Sequence, residues 1–182
     1  MSNAVSALGQ ASFDGFANIR EIGPVGMISL RAKPNALGLA QAIFAVTGTG
    51  VPGLRQIEMA GDRAAGWMSH DEYLLVLPYG DTDAALAAIA CAMAGAHHLA
   101  VTVSDARAVF RIEGAKAAQV LAKLSPVDFA RLGPHELRRT RAAQVAAAFW
   151  AADGGYTLVC FRSVAGYVMG LLTHSALPGS EF

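Results

Sequence analysis

Four stretches of the chain repeat apolar residues at helical spacing, and a short apolar run precedes each of them. Asn35 is a good cap for a helix predicted to run to about Thr47, with Leu39, Ala40 and Ile43 on one face and Gly48 as the stop. Asp81 or Thr82 opens a second helix, in which Leu86, Ile89, Ala90 and Met93 recur at i, i+3, i+4 and i+7. Gly114 precedes a third, carrying Ala117, Val120, Leu121 and Leu124 at the same spacing. Ser163 caps a fourth, with Val164, Tyr167, Val168, Leu171 and Leu172. Gly166 and Gly170 stand four apart on it, which predicts close packing of that face.

The runs before the helices are Met27–Ala32, Tyr73–Leu77, Ala108–Ile112 and Tyr156–Arg162, rich in β-branched and aromatic residues and predicted as strands. Leu54–Met59, Gly66–Ser69 and Leu99–Val103 add further strands, and Ala60-Gly61-Asp62 and Asp153-Gly154-Gly155 signal hairpin turns. Ala142–Ala152 is alanine-rich, which favours helix, yet the DGG turn before YTLVCF asks for a strand partner, so it is predicted as a strand. The order through Val103 is of the β-α-β-β-α-β kind, and a similar series follows. This predicts an α+β fold with helices packed on mostly antiparallel sheet, in two β-α-β-β-like halves. Residues 1–20 read as a flexible arm and 21–176 as one compact domain, with halves 21–104 and 105–176.

Composition shifts the picture toward a partner. Only 15% of the 182 residues are charged, and mean hydropathy is +0.39, whereas about a quarter of a globular chain is usually charged. Part of the surface is therefore expected to be covered by another protein, or by self-association when the chain is isolated. Fourteen basic and fourteen acidic residues balance to zero and leave no nucleic-acid footprint. The windows Pro34–Leu54 and Ala84–Ser104 lack charge over a membrane-span length, but Pro, Asn and glycines interrupt the first and His97-His98 the second, so neither is read as a span. Cys91 and Cys160 form no framework and are expected as buried free thiols, which suits a reducing cytoplasm.

Candidate chemistry concentrates at His70-Asp71-Glu72, inside WMSHDEYLLVLP. On an extended chain His70 and Glu72 share one side and Asp71 faces away. Two ligands fall short of a zinc site, and no HxxxH or HExxH supplies the rest. The YLLVLP run that follows is a strand, so the triplet reads as a polar turn. His97-His98 and His174 read as cations at helix C-termini. Arg138, Arg139 and Arg141, near Arg131 and His135, read as a solvated edge strand or loop, since no glycine-rich cradle adjoins them. No nucleophile elbow or phosphate loop occurs. No residue is therefore nominated as catalytic, cofactor-binding or metal-binding.

Several segments, in order, resemble the gamma subunit family of heterotetrameric sarcosine oxidase. They are Gly23-Pro24-Val25-Gly26-Met27-Ile28-Ser29-Leu30-Arg31, Trp67-x-x-x-Asp71-Glu72-x-Leu74-Leu75, Val101-Thr102-Val103-Ser104-Asp105-Ala106-Arg107 and Leu124-Ser125-Pro126-Val127-Asp128, with the Tyr156–Leu172 strand and helix. That family resembles in turn the folate-binding domain of the glycine-cleavage T protein. There, the resemblance implies, a glutamate in a Gly-Tyr-Thr-Gly-Glu-like turn holds the pterin. Here the turn reads Trp150-Ala151-Ala152-Asp153-Gly154-Gly155-Tyr156, with alanine in the glutamate's place. Pterin N–H donors would be left unpaired, which disfavours binding. The resemblance thus implies a non-catalytic structural subunit of an oxidoreductase complex that oxidatively demethylates sarcosine to glycine. It implies alpha, beta and delta subunits as partners, and FAD, FMN, NAD and tetrahydrofolate held by those subunits. The alternative is an independent folate-binding or aminomethyltransferase-like module.

Overall fold

The computed structural model describes residues 4–182. In chain order come β1 (Ser12–Asp14), β2 (Asn18–Ile22), β3 (Gly26–Ala32), α1 (Leu39–Thr47), β4 (Ile57–Ala60), β5 (Arg63–Ser69) and β6 (Glu72–Leu77). There follow α2 (Thr82–Ala92), β7 (His98–Thr102), β8 (Arg107–Glu113), α3 (Ala117–Ala122), β9 (Leu137–Ala142), β10 (Val145–Ala152), β11 (Gly155–Phe161) and α4 (Ala165–Ser175). Short 3-10 turns lead into α2, β8 and α4. The α+β fold with antiparallel sheet and packed helices is as the sequence predicts. Three strands separate α1 from α2, matching the runs at Leu54–Met59, Gly66–Ser69 and Tyr73–Leu77 rather than the two of the β-α-β-β-α-β order.

The chain divides into two compact units. One is Val25–Ser104, a five-stranded antiparallel sheet in the order β4-β5-β6-β3-β7. Strand alternation sends Ile28, Leu30 and Ala32 of β3, with Tyr73, Leu75 and Leu77 of β6, to one face. Helix α1 brings Leu39, Ile43 and Val46 to that core, and α2 brings Ala85, Ile89 and Met93. Ala40, expected on the inner face of α1, is exposed, and Ala42 takes its place. The α1 helix begins later than Asn35 predicts, at Gly38, whose φ of 78° lies in the left-handed region. A Cβ there would stand 1.9 Å from the Ala92 carbonyl oxygen, so glycine lets α1 approach the end of α2. Gly48 stops α1 as predicted, at φ 72°, donating its N–H to the Phe44 carbonyl.

The other unit joins the chain through Pro24 to Asp105–Phe182. Its six-stranded antiparallel sheet runs β1-β2-β8-β11-β10-β9. Ile19, Phe110, Ile112, Phe149 and Leu158 meet Val120 and Leu121 of α3 and Val168 and Leu172 of α4 in one core. Phe149 stacks on Phe129 at 5.3 Å between ring centroids, and Tyr156 meets both edge-on. Gly166 and Gly170 face open space on α4, against the expectation of close packing, because Val168 and Leu172 already fill the inner face.

The expected arm is corrected by this unit. Residues 12–14 and 18–22 are strands, and the first half starts after Pro24 rather than after residue 20, while its end at Ser104 is where the sequence places it, with residues 1–3 outside the described residues. The cause is polar. Buried Glu21 accepts from the Ser6 hydroxyl and from the Leu8 and Gln10 N–H groups, at 2.9–3.0 Å. Arg162 donates to the carbonyls of Val5 and Ser6 at 3.0 and 3.1 Å. Among the described residues no helix is long and apolar enough to cross a membrane.

Candidate functional site

Strands β5 and β6 pair Trp67 with Tyr73 and Ser69 with Glu72, with a bulge between Trp67 and Ser69. His70 and Asp71 are left as the turn. A bulge beside a hairpin turn re-aims the side chains it carries, and here it disperses the triplet. His70 points to solvent, its side chain 86% exposed, with Nδ1 3.7 Å from Asp71 Oδ1. Ser69 Oγ donates to Asp71 Oδ1 at 2.9 Å and holds that carboxyl below the usual carboxylate range. The Asp71 carbonyl accepts the Ala32 N–H at 3.0 Å, tying the turn to the end of β3.

Glu72 goes elsewhere. It is buried opposite Arg31, its register partner, and accepts from Ser29 Oγ at 3.2 Å and Arg31 Nη2 at 3.1 Å. That contact pushes the Arg31 guanidinium pKa up. His70 and Glu72 therefore do not converge. The polar-turn reading describes what the triplet does: Asp71 fastens the hairpin to β3, and Glu72 fastens β6 to the same strand.

The other candidates also resolve into separate places. Helix α2 ends at Ala92, and His98 already belongs to β7, so the His97-His98 pair does not sit at the helix end as expected. Gly95, at φ 80°, breaks the chain between them. His98 Nδ1 lies 2.9 Å from the Ala96 carbonyl oxygen. A carbonyl only accepts, so Nδ1 carries the hydrogen. His174 does lie in the last turn of α4. Arg138, Arg139 and Arg141 lie on β9, an edge strand, where Arg138 pairs with Glu136 at 2.8 Å and Arg139 and Arg141 are exposed. Cys160 is buried, and burial pushes its thiol up to about 11. Cys91 is exposed, contrary to expectation, because it falls on the outer side of α2. Among the described residues no three His, Cys, Asp or Glu side chains group as a metal site.

The turn that the sequence compares with a folate site joins β10 to β11. Beside it lies an open hollow of about 420 Å³, walled by Gly114, Ala115, Ala118, Ala151, Gly155 and the Tyr156 ring. The nearby carboxylate, Glu113, is engaged by Arg20 and Arg111, and Arg20 chiefly holds its pKa below the ordinary range. Arg111 also donates to the Asp153 carbonyl at 2.7 Å. A wall of methyl groups, backbone and one phenol offers shape but no counter-charge.

Comparison with known proteins bears on most of the chain. A model of the sarcosine oxidase, gamma subunit family matches residues 31–176. Sarcosine oxidase subunit gamma of Corynebacterium sp. (strain P-1) is 32% identical over 127 residues, 67% of this chain and 60% of that protein. The match thus spans less than two thirds of that relative's length. Among solved structures, a chain of heterotetrameric sarcosine oxidase from Corynebacterium sp. U-96, in complex with pyrrole 2-carboxylate, superposes with a TM-score of 0.79. Identity there is 24%, covering 88% of this chain and 83% of the other. Aminomethyltransferase T of the glycine cleavage system from Bartonella henselae gives 0.63 at 14% identity, over 84% of this chain and 44% of that one. These two likenesses establish a shared fold, and the family match, running through both units, establishes that the chain belongs to the sarcosine oxidase gamma subunit family.

Proposed function

We propose that the chain is a structural, non-catalytic subunit of a cytoplasmic heterotetrameric sarcosine oxidase, which oxidatively demethylates sarcosine to glycine. The observation that carries this reading is the family match over residues 31–176. The side chains support it. The carboxylates of the candidate cluster and beside the β10–β11 turn are spent on holding the fold: Asp71 on Ser69, Glu72 on Ser29 and Arg31, Glu113 on Arg20 and Arg111. Exposed Leu37, Phe44 and Leu54 on the Val25–Ser104 unit suit a chain that packs against partners. In this reading the alpha, beta and delta subunits hold the flavins, NAD and tetrahydrofolate.

Co-expression with those subunits tests it. The four-subunit complex is expected to assemble and oxidise sarcosine, while this chain alone is colourless and inactive. A complex lacking this chain that assembles and turns over normally would overturn the structural role. Calorimetric titration of tetrahydrofolate into the isolated chain is expected to show no saturable heat. Saturable heat would favour a folate-binding module instead.

A further inference from the structure

Strands β3 and β7 end together, with Arg31 paired to Leu99 and Ala32 to His98. The chain leaves β3 through Lys33 and enters β7 through Ala96 and His97, and the two connections enclose a cavity of about 780 Å³. Pockets for small ligands span about 300–1,000 Å³. Arg31, Lys33, His97 and His98 line the cavity together with Leu37 and Leu99. Asp71, the carboxylate in the lining, is already held by the Ser69 hydroxyl and faces His70.

The lining thus combines the uncommitted Lys33 ammonium, the half-exposed Arg31 guanidinium and two imidazole rings with uncovered hydrocarbon. The Lys33 carbonyl accepts the Ala36 N–H, but the side chains of Lys33 and His97 have no hydrogen-bond or ion-pair partner among the described residues. Arg31 binds Glu72 through Nη2 and keeps half of its side chain exposed. Leu37 and Leu99 are 79% and 54% exposed, high for leucines beside a concave surface. The Ala96 carbonyl fixes the His98 ring, which leaves Nε2 as the second polar atom of that ring. Cations that bind a head group, next to apolar walls that cover a body, select an anion with a hydrocarbon part.

We infer that this cavity binds a small organic anion, a carboxylate or phosphate ester with an apolar body. Lys33, His97 and Arg31 take the anionic head, and Leu37 and Leu99 take the body. This binding role goes beyond the structural role proposed above and is read on the chain alone, and it shares Leu37 with the exposed apolar surface of this unit.

Amide NMR spectra of the full-length labelled chain, titrated with phenyl phosphate, benzoate, inorganic phosphate and neutral benzamide, test the inference. Expected are saturable shifts at residues 31–37 and 96–99 with both aromatic anions, weaker ones with inorganic phosphate and none with benzamide. The double substitution Lys33→Ala and His97→Ala should weaken phenyl phosphate binding about tenfold, the scale of one charge-assisted contact. Leu37→Ser should weaken phenyl phosphate but leave inorganic phosphate unchanged. All three positions are solvent-facing, and retained spectral dispersion verifies the fold of each variant. The inference fails if no shift saturates, if benzamide binds as well as benzoate, if the shifts map outside the cavity, or if the double variant keeps its affinity.

Discussion

Asp71 and Glu72 are adjacent in sequence, yet they serve different contacts and predict different mutant behaviour. His70 projects to solvent at the hairpin tip, so His70→Ala should change stability by no more than about 0.5 kcal/mol and leave assembly of the proposed complex intact. Glu72 is buried and satisfies Ser29 and Arg31, so Glu72→Ala should cost roughly 1–2 kcal/mol, the range of a charged hydrogen bond discounted for the half-exposed guanidinium. Urea unfolding followed by circular dichroism separates the two. A larger loss for His70→Ala than for Glu72→Ala would contradict the turn assignment. The cysteines make a second residue-scale contrast. Cys160 is 1% exposed and its thiol is pushed up to about 11, while Cys91 is exposed. Thiolate is the reactive form, so iodoacetamide should label Cys91 alone in the native chain and both after denaturation, as read by intact mass. Glu113 adds a pH dependence. Its folded pKa lies below the ordinary 4.5, first through the Arg20 contact, so the carboxylate contributes stability above that value and loses it as pH falls through the folded pKa. The difference in unfolding midpoint between wild type and Glu113→Gln should be largest near neutrality and shrink below pH 4.5.

At the scale of elements, legibility followed periodicity. β3, β6, β8 and β11 and the four helices are readable because one face of each is continuously apolar. β1 and β2 are not, since what orders them is the buried carboxylate of Glu21 and the reach of Arg162 from 156 and 157 residues away. The one sequence cue was the alternation of NIREI, in which Ile19 and Glu21 share the buried face. The arginine run, read as a solvated edge strand or loop, is β9, and an edge strand tolerates such charges on its solvent side. The cavity at the paired ends of β3 and β7 was invisible for a different reason: Arg31 and Lys33 come from one segment and His97 and His98 from another more than sixty residues on, and they meet only through strand pairing. Glycines show how context decides an element. Gly38→Ala meets both a left-handed φ and the Ala92 carbonyl, so it should destabilise by more than the roughly 1–2 kcal/mol of conformational strain alone. Gly170→Ala lies on an exposed helical face with nothing within 4 Å and should stabilise by about 0.4–1 kcal/mol. Thermal melts of the two variants shifting in the same direction would refute the packing described for α1.

For the molecule as a whole, the surface of the isolated chain is at odds with solubility. Formal charge is zero and the sequence pI is about 7.0, so long-range repulsion between copies is minimal near neutral pH. Leu37, Phe44 and Leu54 are each more than 60% exposed, and all lie on the Val25–Ser104 unit. Two copies that meet through such side chains release water from apolar surface, and each fully covered leucine or phenylalanine contributes about 1.5–3 kcal/mol. The isolated chain is therefore expected to self-associate in a concentration-dependent way at pH 7, as light scattering coupled to size exclusion would read. Phe44→Ser with Leu54→Ser should lower the apparent mass toward the 18.9 kDa monomer without lowering the melting temperature, because neither side chain belongs to a core. The same double variant, carried into the co-expressed complex, discriminates between two uses of that surface. If partner subunits cover it, recovery of the complex falls along with self-association. If the complex assembles unchanged while self-association is lost, Phe44 and Leu54 serve only contacts between copies of this chain, and the proposed contacts with partner subunits lie elsewhere on its surface.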